Sequence, residues 1–299
     1  MMYKKRVLIT ALFAAVGISA CGGGGSSSSS GNNLADTSGG TNTNDVSVSG
    51  VAIKGVMIGA DVTIYELGSD TAIGSTTTDE NGQYSLSDID LTDVSGPLKL
   101  VMTTNANTTT KCDSAIGCQD ANDTIDFGAT YSFHDASFEL TALLANPSSS
   151  DATMMITPVT HMAAARAEAS GATTAAEIEE INTATANLLG LEGIDIASSV
   201  PSDLTEASSA DDSANAQHYG AILAAIATVS AEKGHSLAAT IDQITSNYVQ
   251  NDGLIANSDS EEVIDLEDIF SGAADSITKA EEVQLDSQQR SMTNNKSDS

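Results

Sequence analysis

The stretch "TTTDENGQYSL", residues 76–86, decides how the first half of this chain is read. A run of threonines meets an alternating segment, with Asn81-Gly82 between them. Asn and Gly both tolerate positive φ, the backbone state that a tight hairpin turn demands. Alternation sends successive side chains to opposite faces of a strand. The preceding segment "GVMIGADVTIYEL", 55–67, alternates in the same way. Working outward, the pattern recurs in "VSVSGVAIKG" (46–55), "AIGSTTT" (72–78), "PLKLVMTT" (97–104), "TIDFGATYSF" (124–133) and "ASFELTALL" (136–144). Short strands at this spacing, with no long helical pattern between them, predict an antiparallel β-sandwich over residues 46–150.

Gly59, Ala60 and Val62, followed by Thr78, Asp79, Gly82, Tyr84 and Leu86, resemble the pattern of the carboxypeptidase regulatory-like and Cna B-type sandwiches. The resemblance covers residues 46–104 and implies a transthyretin-like fold in which Val62, Tyr84 and Leu86 face the core and Asp79 and Gly82 shape the turn, with an accessory or stalk role and no catalytic residues. Beyond it the insert "NANTTTKCDSAIGCQDANDTID", 105–126, reads as a loop. Some members of that family join a lysine to an asparagine by an isopeptide bond. Lys54 with Asn105 or Asn107 are the residues such a bond would use here, and a solvent-exposed strand lysine is the ordinary alternative.

The period changes at "ITPVTHMAAARAEAS", 156–170, where Thr157 is a helix N-cap and Pro158 suits the first helical position. "TAAEIEEINTATANLLG", 174–190, opens with a capping box, Thr174 with Glu177, and Gly190 supplies a stop. A third helix carries Tyr219, Ile222, Leu223, Ile226 and Val229 and ends near Gly234, and a fourth starts at Ser236. A fifth is expected from Ser258, boxed with Glu261. Each apolar stripe needs a neighbour to cover it, which predicts an all-α helical bundle over 151–285 with a frayed polar tail at 286–299. "TPVTHMAAARAEA" and "NLLGLEGIDI" resemble the helical region of Gram-negative lipoproteins that carry such a sandwich in front. The expected class is thus α+β in separate domains, a transthyretin-like sandwich followed by a helical bundle.

At the N-terminus Lys4, Lys5 and Arg6 precede the short apolar run Val7–Val16, which reads as a signal peptide over 1–20. The next stretch, "GISACGGGGSSSSSG", 17–31, explains itself through Ile18-Ser19-Ala20-Cys21, which resembles the lipobox of bacterial lipoproteins. The resemblance implies acylation of Cys21 and a membrane contact through that anchor. Gly22 in place of aspartate leans towards the outer membrane of a Gram-negative cell. Residues 21–45 hold almost no apolar side chains and read as a disordered tether with a reach of roughly 25–30 Å.

Composition narrows the partners. The chain has 299 residues, 41 of them acidic and 11 basic, for a formal net charge of −30. Losing the signal peptide leaves eight basic residues and a charge near −33, which disfavours nucleic acid and anionic lipid surfaces. The chain has no tryptophan, six tyrosines and five phenylalanines, which disfavours a tight lectin. An envelope protein or a glycan remains as the partner class.

With Cys21 lipidated, Cys112 and Cys118 are left to form a disulfide in an oxidising compartment. Asp120, Asn122, Asp123 and Asp126 form an oxygen-rich cluster that would suit calcium, though it lacks the glycine and terminal glutamate of an EF-hand loop. No other cofactor is indicated. His134, His161, His218 and His235 show no metal-ligand spacing, and His161 falls on the apolar side of its helix, where packing is the ordinary role. No G-x-S-x-G elbow singles out a serine. These readings imply an anchored, non-catalytic spacer, scaffold or interaction module. The alternative is a module binding a polysaccharide or an envelope complex through its helices.

Overall fold

The computed structural model describes residues 45–120, 123–147, 151–256 and 262–297. Its largest sheet has four antiparallel strands: β3 (Asp61–Glu66), β4 (Ala72–Thr77), β6 (Leu98–Thr103) and β11 (Glu139–Leu144), ordered β11-β6-β3-β4. Register explains its core face. Val62 pairs with Met102 and Ile64 with Leu100, while Met102 also pairs with Leu140 and Leu100 with Ala142. All six are fully buried, as strand alternation requires of one face. A second sheet is built on β1 (Asp45–Val51), antiparallel to β5 (Gln83–Asp90) and parallel to β12 (Ala152–Thr153). It buries Val46, Val48, Tyr84, Leu86 and Ile89.

The turn at 79–83 forms as its residues dictate, but it does not close a two-stranded hairpin. Asp79 Oδ1 accepts from the Asn81 and Gln83 amides at 2.8 and 2.9 Å, and Gly82 has φ +70°. A Cβ at position 82 would lie 3.0 Å from the Ala52 carbonyl oxygen. The strands on either side belong to different sheets, β4 beside β3 and β5 beside β1. Turn chemistry is local, whereas strand partners are chosen by which apolar faces must meet.

The insert after Asn105 is not a plain loop. It contributes β7 (Thr109–Lys111), paired with β2 (Met57–Ile58) and β10 (Thr130–Ser132), and a short antiparallel pair, β8 (Cys118–Asp120) with β9 (Asp123–Ile125). β-Branched Thr109 and Thr110 supply the extended propensity, and neighbouring strands supply partners.

Among the described residues five α-helices follow: α1 (Pro158–Ser170), α2 (Ala175–Leu188), α3 (Ala214–Lys233), α4 (Leu237–Gln250) and α5 (Leu266–Ser297). Thr157 caps α1, Thr174 and Glu177 form the box on α2, Gly234 ends α3 in the left-handed region, and Ser236 caps α4. The expected box at Ser258 and Glu261 lies outside the described residues. α5 is instead opened by Asp265, whose Oδ1 accepts from Glu267 and Asp268 amides at 2.9 and 3.1 Å. Its backbone stays helical to Ser297, where polarity predicts fraying beyond Leu285. Gln, Arg, Met and Lys are adequate helix formers, and Asp286 and Arg290 lie one turn apart at 3.8 Å. Among the described residues no helix is long and apolar enough to cross a membrane.

Strands and helices share one core rather than holding one each. A single cluster of buried residues runs from Val48, Val62 and Leu100 to Val159, Tyr219, Ile222 and Ile244. The described residues accordingly form one compact unit. α3 is buried almost all round, so it cannot belong to a surface layer. Lys111 in β7 reaches Asp203 at 3.0 Å and also contacts Glu206.

Candidate functional site

Lys54 follows β1 in a turn, and it is neither exposed nor directed at the asparagines. It is 2% exposed, and its Nζ donates to Asp113 Oδ1 at 2.7 Å. Asp113 Oδ2 accepts from the Gly55 amide at 2.9 Å, and Gly55 has φ +60°, a conformation that favours glycine. Asn105 Nδ2 donates elsewhere, to the Gly59 carbonyl at 2.8 Å. A buried ion pair is stabilising only when both partners stay and their hydrogen bonds are good. The disulfide Cys112–Cys118 holds the other side of this pair, its Cα atoms 5.6 Å apart, with Asp113 directly after Cys112.

Lys54 contributes to the wall of a cleft of about 330 Å³ at the seam between strands and helices. Cys118, Gln119, Tyr131, Phe133 and Asp135 line the strand side, and Ser230, His235 and Leu237 line the helix side. Tyr131 and Phe133 meet edge to face at 6.3 Å, and Phe133 meets Phe138 at 4.9 Å. Burial, with the charges of Asp113 and Asp120, pushes the Tyr131 hydroxyl above its usual range, so it remains a neutral donor. Asp135 is held below the ordinary carboxylate range by bonds from the Ser137 hydroxyl and amide. A larger cleft, about 520 Å³, lies beside α2 among Asn182, Asn187, Asp195 and Met154. It holds no buried charge among the described residues, so the seam cleft is the stronger candidate.

Asp120 stands opposite Asp123 across β8 and β9, and Asp126 accepts the Ala129 amide through its carbonyl at 3.0 Å. Asn122 and Cys21 lie outside the described residues. Among the described residues no three His, Cys, Asp or Glu side chains converge as a metal site. His134 and His218 are exposed. His161 is structural: its Nδ1 accepts from the Thr141 amide at 3.1 Å, joining α1 to β11, and burial lowers its pKa. His235 is half-buried in the seam cleft.

Sequence reasoning missed the Lys54–Asp113 pair and the cleft. The partners are 59 residues apart, and no local spacing joins them. The one available signal was a lone lysine inside an apolar run, "VAIKGVMI". No protein-family model matches this chain, and no curated protein matches it either.

Proposed function

We propose that this protein is a cell-envelope lipoprotein, held at the outer membrane by acylated Cys21. Its folded block stands off on the 21–45 tether and acts without catalysis as a spacer, scaffold or interaction module. The observation that carries the reading is the Cys112–Cys118 disulfide, because such bonds persist in oxidising compartments and are rare in the cytosol. That agrees with the signal peptide and lipobox read from the sequence.

The four-stranded sheet and the β12-β1-β5 sheet would be the layers of a transthyretin-like sandwich. In support, Val48 and Leu86 from one sheet and Val62, Leu100 and Leu140 from the other belong to the same buried cluster. The 79–83 turn passes the chain from one sheet to the other, as connections in a sandwich would.

Metabolic labelling with palmitate and fractionation of cells test the anchor. The full chain is expected to take up label and to sediment with outer membranes. Cys21→Ala is expected to lose both, and a Cys21→Ala chain that still sediments with membranes would overturn the reading.

A further inference from the structure

Lys54 is a buried cation with one hydrogen-bond partner among the described residues. An ammonium carries three donors. Asp113 is its hydrogen-bond partner among the described residues, at 2.7 Å, and the lysine side chain is 2% exposed. Buried donors without acceptors are costly, so the remaining N–H groups call for oxygen atoms. The adjoining cleft is where such atoms can enter.

Charge decides what kind of oxygen. Asp113 already neutralises Lys54, and its second oxygen is engaged by the Gly55 amide. An anion entering the cleft would face the Asp135 carboxylate in a chain of formal net charge −30. A metal cation would find one carboxylate in the lining, Asp135, and no group of three metal-ligating side chains forms among the described residues. A neutral molecule rich in oxygen acceptors meets neither penalty. The same cleft offers the rings of Tyr131 and Phe133, which suit a C–H face, and the Gln119 amide, which can donate or accept.

We infer that the seam cleft binds a neutral saccharide, with Lys54 donating to its oxygens and Tyr131 and Phe133 packing against its ring. At about 330 Å³ the cleft is at the small end of ligand sites, which fits one or two sugar units. With two rings and no tryptophan, the affinity should be low, around millimolar. The inference goes beyond the anchoring role and is independent of it, since a chain without lipid would bind equally.

Saturation-transfer NMR on the full-length Cys21→Ala chain, with the Cys112–Cys118 bond intact, provides the test. The probes are glucose, N-acetylglucosamine, cellobiose and chitobiose, with acetate as the anionic control. At least one saccharide should bind with Kd of about 1–10 mM, and acetate should not compete. Lys54→Met combined with Asp113→Leu, which keeps the site neutral, should weaken binding about tenfold. Tyr131→Leu should do the same independently, and its circular dichroism spectrum reports that the fold is kept. A disaccharide that binds tighter than its monomer supports a polymer as source, and equal binding supports a free sugar. Absence of transfer from all four sugars at about 20 mM, competition by acetate, or unchanged binding in a folded Tyr131→Leu variant would overturn the inference.

Discussion

The Tyr84 hydroxyl donates to the Met154 carbonyl at 2.6 Å, joining β5 to the segment that enters α1. Gly50 lies under the same carbonyl, where a Cβ would come within 1.8 Å of the oxygen, so only glycine admits this approach. Met154 and Ile156 continue from β12 into the helical cap at Thr157, whose hydroxyl is 2.9 Å from that of Tyr219. Strand and helix regions are therefore bound by buried polar contacts as well as by apolar ones.

Removing the Tyr84 hydroxyl leaves the Met154 carbonyl buried without that donor. Tyr84→Phe is expected to lower stability by about 1–3 kcal/mol in urea denaturation. Because the core is shared, unfolding should remain one cooperative transition by far-UV dichroism and tyrosine fluorescence alike. Two separated transitions would show that strands and helices unfold independently.

For the buried ion pair, single and double variants should diverge. Lys54→Met strands a buried carboxylate and should cost about 3–5 kcal/mol, whereas Lys54→Met with Asp113→Leu should return to within about 1 kcal/mol of the parent. Equal losses in both, measured by denaturant titration, would mean that the pair contributes through shape rather than charge.

His161 gives a pH dependence with a definite sign. Burial lowers its folded pKa below the ordinary 6.5, outweighing the nearby carboxylates Glu139, Asp242 and Glu168, while Lys99 adds to the lowering. The neutral ring accepts the Thr141 amide, which a protonated Nδ1 could not do. Its contribution is present above the unfolded pKa and is lost as pH falls through the lower folded value. The melting temperature should thus drop as pH falls from about 7 towards about 5, and His161→Gln should flatten that part of the profile. An identical slope in the variant would place the effect elsewhere.

The disulfide closes a short loop, so its removal should lower stability by roughly 2 kcal/mol. Since it also steadies Asp113, the loss from Cys112→Ser/Cys118→Ser and that from Lys54→Met should not add. Strict additivity in the combined variant would show that the loop and the pair are uncoupled.

What could be read along the sequence was what is decided within a few residues. Thr157, Thr174, Gly234 and Ser236 cap helices because their own side chains or backbones meet the free groups of the adjacent turn. Val62, Tyr84 and Leu86 are buried because strand alternation puts them there. What escaped depends on distant partners. Nothing near Asn81-Gly82 tells that β4 and β5 lie in separate sheets, and nothing near Lys54 names Asp113. Two cores were expected because the period changes near residue 150, yet a change of period marks a change of element rather than of core. The seam cleft was invisible for the same reason, since its two walls come from segments about a hundred residues apart.

Intact-mass measurement of the protein purified from native membranes tests the central claim most directly. The account predicts a chain starting at Cys21, carrying the mass of acyl groups and lacking two hydrogens for the Cys112–Cys118 bond. A mass retaining residues 1–20, or one without lipid and with both thiols free, would contradict it.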